Sequence, residues 1–107
     1  RVLKKTWKLD PDETIVCGGP SLCLHHAAFT DPAKELPNID PKFFNGRYVD
    51  LCSIARSQFL DLGVPPDQLE RDPDCTVCEG GAYWSYRGGD QQAVEQGCTN
   101  ALVAMLL

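Results

Sequence analysis

"DLCSIARSQFLDLGV", residues 50–64, decides the architecture. Leu51, Ile54, Ala55, Phe59 and Leu62 recur at helical spacing, and Gln58 is the single polar residue on that face. Asp50 stands where a carboxylate caps a first turn. Gly63 stands where a left-handed C-terminal residue belongs, and Pro65 and Pro66 forbid continuation. The pattern predicts a helix over 51–62.

Working outward, "FFNGRYV" (43–49) carries Asn45-Gly46, the favoured pair for a tight hairpin turn. "TDPAKEL" (30–36) reads as a short helix with Thr30 as N-cap, Pro32 in the first turn and Pro37 as the stop. "LCLHHAAF" (22–29) is extended or irregular. "TIVC" (14–17) is a β-branched run before "GGP", hence a buried strand ending in a turn. "VLKKTWK" (2–8) reads as the end of an amphipathic helix, with Val2, Leu3 and Trp7 on one face. Downstream, "AYWSY" (82–86) alternates and is aromatic, which predicts a strand. Residues 88–97 read as a polar loop with one helical turn. "ALVAMLL" (101–107) is long enough for one buried strand, although its pattern alone leaves helix open. The class is therefore α+β, with a short mixed sheet and one main helix.

At 107 residues the chain is at most one domain with one small core. The net charge of −5 and the scattered basic residues argue against nucleic acid, which needs a concentrated basic face. No apolar run reaches the length of a membrane span. Six cysteines, at 17, 23, 52, 75, 78 and 98, are too sparse for a disulfide scaffold. Free thiols in a reducing compartment are the expectation, placing the chain inside the cell, cytoplasmic or mitochondrial. A small secreted disulfide-stabilised protein is the alternative.

From Tyr48 onward the order of motifs is specific: "YVDL", Arg56 and Leu60 on the helix, "GVPPDQL", "CTVC", "YWSYRGGD" and a final Gly-led apolar segment. Upstream, "LDPDETIVCGGPSL" (9–22) agrees with a G-x-D-P-E-x-I-x-x-x-I-G-P-S-I pattern. Together these resemble the C-terminal half of the laccase-domain family (multicopper polyphenol oxidase-like, YfiH-type). The likeness runs from about Val2 to Leu106. It implies half of a laccase-domain fold, and an association with zinc-dependent purine nucleoside phosphorolysis and related adenosine chemistry. Family zinc is held by two histidines and one cysteine in the front half. Two of them lie in A-D-C-x-P and V-H-A-G-W-R-G motifs that do not occur in these 107 residues. The resemblance therefore implies one partial domain over 1–107, starting part-way along a helix, with the metal-ligand half absent. No cofactor is expected in this chain, and catalysis by the chain alone is not expected either. A protein partner would cover the missing half-domain face. The chain would then be a subunit or fragment in a larger assembly, or the back part of a split phosphorylase. Two departures support the inactive reading. His25, His26, Ala27 and Ala28 replace the family's Cys-Cys, aromatic and Glu positions, and Gly97-Cys98 replaces a terminal Gly-Arg.

Among candidate site residues, Arg87 follows the aromatic run, and family position puts it near a site mouth or anchoring the next loop. An arginine there can bind phosphate in a bidentate fork, with Tyr86 beside it. The competing role is an ion pair with an acid such as Asp90. Cys75-x-x-Cys78 is one ligand pair, whereas structural zinc needs four donors. With no second such pair, no metal ligand set is expected. Cys17, Cys23, His25 and His26 complete one only if the fold brings them near, and the alternative set is Cys75, Cys78, His25 and His26. The simpler reading packs Cys75 in the core and leaves Cys78 incidental. Adjacent histidines in an extended segment point to opposite sides, so one is buried and one exposed.

Overall fold

The computed structural model describes residues 1–105. Its main element is the helix α3 (Leu51–Asp61); the further helices are α1 (Val2–Trp7), α2 (Pro32–Glu35) and α4 (Gln91–Glu95). The strands are β1 (Val16–Gly18), β2 (Phe44–Asn45), β3 (Tyr48–Val49) and β4 (Leu69–Arg71). They form two two-stranded sheets, β1–β4 parallel and β2–β3 antiparallel. The α+β expectation holds.

α3 begins and ends for the reasons its sequence gives. The Asp50 carboxylate accepts from the Ser53 backbone N–H at 3.0 Å and from the Ser53 hydroxyl at 2.7 Å. Gly63, at φ 95°, takes the left-handed conformation that closes the C-terminus. The hairpin forms as expected, with a refinement. Asn45 pairs with Tyr48, so the two loop residues are Gly46 and Arg47, and Gly46 supplies the positive φ of 60°. α2 is capped by Asp31 rather than Thr30, because the Asp31 carboxylate accepts from the Lys34 N–H at 3.3 Å.

The parallel pair organises the remainder. Val16, Cys17 and Gly18 lie opposite Leu69, Glu70 and Arg71. Pairing continues beyond the strands: the Asp72 N–H donates to the Gly18 carbonyl at 2.8 Å, and Ser21 bridges Cys75. On the other side Ala28 bridges Tyr48, joining the same loop to the hairpin. Ala27, Val49, Ile54, Val64 and Cys75 form the buried core of the described chain, and Pro32 is buried as well.

The strand expected over 82–86 is not formed, and the 101–107 segment, left open between strand and helix, takes neither form over its described residues. Residues 82–86 lie in turns and irregular backbone. The Asn100 side chain takes both backbone groups of Trp84, accepting its N–H at 2.9 Å and donating to its carbonyl at 2.8 Å. Asp90 accepts the Ser85 N–H at 2.8 Å. Side chains thus satisfy the backbone that a neighbouring strand would otherwise pair. Residues 101–105 have no regular structure, and Leu102 and Val103 are about four-fifths exposed (79% and 81%), so no buried strand forms there. Leu106 and Leu107 lie outside the described residues.

The body is open for its length. Its radius of gyration is 16.1 Å, against about 13 Å for a compact domain of this size. An apolar groove of about 440 Å³ runs between α3 and the parallel pair, lined by Val16, Leu51, Ala55, Phe59 and Leu69, with Arg56 and Arg71 at its edge. No helix of the described residues is long and apolar enough to cross a membrane.

Because one carboxylate satisfies two donors at the start of α3, Asp50→Ala should lower stability by about 1 kcal/mol, and Asp50→Asn by less. Urea midpoints of the three proteins check this.

Candidate metal centre

Beyond Gly18, the two paired segments each make a tight turn. In the first, the Ala27 N–H donates to the Cys23 carbonyl at 3.0 Å; in the second, the Glu79 N–H donates to the Cys75 carbonyl at 2.9 Å. Such a turn places its first and fourth residues on one side. Cys23 and His26 therefore face the same way, as do Cys75 and Cys78. The parallel pairing sets the turns side by side, and the Cys23 N–H donates to the Cys75 sulfur at 3.3 Å.

Four donors converge. His26 Nδ1 lies 3.2 Å from Cys23 Sγ and 3.5 Å from both Cys75 Sγ and Cys78 Sγ. Cys23 Sγ lies 3.9 Å from Cys78 Sγ, and all four atoms lie within 4.8 Å of one another. Cys75 is buried, Cys23 and His26 half-buried, and Cys78 exposed. All six cysteines are free thiols.

The thiols have unlike acidities. Burial pushes Cys75 up, but the backbone N–H groups of Cys23, Cys78 and Val77, together with His26, outweigh it and bring the thiol down to about 5. Hydrogen bonding to Cys75 holds the proton on Cys78, and desolvation and the Cys23 sulfur add to this, raising it to about 11. Nearby, the Tyr83 hydroxyl donates to the Asp74 carboxylate at 3.1 Å, which raises the phenol above its ordinary value.

The sequence pointed to Cys75, Cys78, His25 and His26 as the alternative metal set. The structure assembles three of these and substitutes Cys23 for His25. His25 is exposed and outside the cluster. One histidine is half-buried and one exposed, as expected, though a turn rather than an extended segment separates them. Cys78 stands in the cluster rather than apart from it. Cys17 is exposed and outside the cluster. A Cys-x-x-His at 23–26 was present in the sequence as the missing second pair, and it is the signal that would have completed the set.

Among the described residues Arg87 forms no ion pair with Asp90. Its guanidinium donates to the Ala28 carbonyl and lies 5.0 Å from the centre of the Phe29 ring. This fastens the 86–89 turn to the strand-like segment beside the hairpin. The Tyr86 hydroxyl donates to Glu95 at 3.3 Å and the ring is exposed.

Fold and cluster together define a small α+β protein with a thiol-rich four-donor centre between two turns. The family model for the multi-copper polyphenol oxidoreductase laccases matches residues 1–105, and the chain belongs to that family. No curated protein and no solved structure matches. The donors do not fit the metal chemistry the family implies. The ligand set expected from the resemblance is two histidines and one cysteine, whereas this cluster offers three cysteines and one histidine. This chain has two histidines, and only His26 is in the cluster.

Two outcomes follow. A lowered folded pKa contributes stability that is present above the unfolded value and lost as pH falls. A raised one contributes stability that is lost as pH rises. With chelator present, the urea midpoint should therefore rise from pH 5 to 9 through Cys75 and fall from 9 to 11 through Cys78. Cys75→Ala should abolish the first slope. Separately, Arg87→Ala should cost about 1 kcal/mol and free the 86–89 turn to exchange its amides faster.

Proposed function

We propose that this chain is a non-catalytic structural component of a laccase-domain assembly, its exposed apolar face covered by a protein partner. The observation that carries this reading is the mismatch between core and surface. Six apolar residues, Pro32 among them, are buried in the described chain, while Val2, Trp7, Ile15, Leu62, Leu102, Val103 and Met105 are each about two-thirds exposed or more (66–81%). Ile15 directly precedes β1, and the apolar groove opens against α3 and both strands of the parallel pair. Unpaired strand edges and contiguous apolar surface are what proteins ordinarily cover.

A second reading rests on the motif resemblance: the back part of a zinc-dependent purine nucleoside phosphorylase. In that chemistry phosphate attacks the ribose C1 carbon while the base departs with its charge stabilised. Here Arg87 is committed to Ala28 and Phe29, which supports a structural rather than phosphate-binding role.

The purified chain should not convert inosine or adenosine in the presence of phosphate, and it should co-purify with a separately expressed laccase-domain front half. Turnover by the chain alone would overturn the scaffold reading. Turnover appearing only after mixing would select the split enzyme. Thiol titration of denatured, unreduced protein separates both from a secreted disulfide-stabilised protein, with six reactive thiols expected.

A further inference from the structure

We propose that Cys23, His26, Cys75 and Cys78 form a closed structural zinc site that fastens the 23–26 turn to the 75–78 turn, distinct from the family's His-Cys-His zinc.

Four of the six donor separations fit a tetrahedron around one ion, and all six are within 4.8 Å. With Zn–S near 2.3 Å and Zn–N near 2.0–2.1 Å, tetrahedral angles require about 3.8 Å between sulfurs and about 3.5 Å between sulfur and nitrogen. The three sulfur–nitrogen separations are 3.2, 3.5 and 3.5 Å, and the Cys23–Cys78 sulfur separation is 3.9 Å. The same 3.9 Å is far from the roughly 2.05 Å of a disulfide. Three thiolates and one imidazole in this arrangement select zinc over the harder cations, and all four positions of the metal are taken by protein. No position remains for water or substrate, so the site supplies structure rather than catalysis.

The ligands also sit where a cross-link has most effect. Cys23 and Cys75 are 52 residues apart in sequence. Apart from contacts among the four donor side chains themselves, the described residues join the two turns through the Cys23 N–H to Cys75 sulfur hydrogen bond and the Ser21–Cys75 bridge. In a body with few buried apolar residues, metal binding would supply stability that packing does not. Binding releases the remaining thiol protons, since the ligands are thiolates.

The test is zinc content and coordination of the purified chain, read without any activity assay and so independent of the scaffold reading. Protein folded with zinc present should hold one zinc per chain by elemental analysis and native mass, and removing it with a strong chelator should lower the melting temperature. Cys78→Ser and Cys23→Ser should lose the zinc, whereas His25→Ala and Cys98→Ser should keep it. Should the cysteine variants fail to fold, cobalt(II) added to the wild-type chain decides. Intense visible bands of tetrahedral cobalt, with thiolate-to-metal charge transfer, support the site. A weak octahedral spectrum, zinc far below one per chain, or a mapped Cys23–Cys78 disulfide in unoxidised protein would overturn it.

Discussion

Everything in this molecule hangs on the parallel pairing of β1 with β4. Three residues on each side are enough, because the pairing does not stop at the strands. It runs on through Asp72 to Gly18 and through Ser21 to Cys75, and sets two sharp turns against each other. Parallel strands demand a long crossover. Here the crossover holds the short helix, the hairpin and α3, so the same pairing also fixes where α3 can lie.

The consequence is a body built on local devices more than on a core. Asp50, Asp31 and Asp40 cap their helical turns with carboxylates. Asn100 stands in for a strand beside Trp84, and Arg87 fastens one loop to another through Ala28 and Phe29. Each contributes modestly, since most of these groups are exposed and compete with water.

Family membership and donor chemistry point in different directions here. A laccase-domain protein is expected to spend its metal on chemistry through an open, histidine-rich site. The convergent donors in this chain are sulfur-rich and number four, which is the composition of a closed site. His26 stands three residues after Cys23, and its Nδ1 lies 3.2 Å from the Cys23 sulfur.

Local signals in the sequence sufficed for α3, the hairpin, α1 and the short helical turns. Capping residues, glycine at positive φ and proline stops act over a few residues and need no partner. The order of "YVDL", "GVPPDQL", "CTVC" and "YWSYR" sufficed for the family. Two things were beyond it. Whether "AYWSY" becomes a strand depends on a neighbour to pair with, and Asn100 and Asp90 take that place instead. Whether Cys75 and Cys78 have company depends on the register between segments 52 residues apart. That register alone brings Cys23 and His26 to them and leaves His25 outside. A ligand set drawn from distant segments is a property of pairing, and pairing is decided in three dimensions.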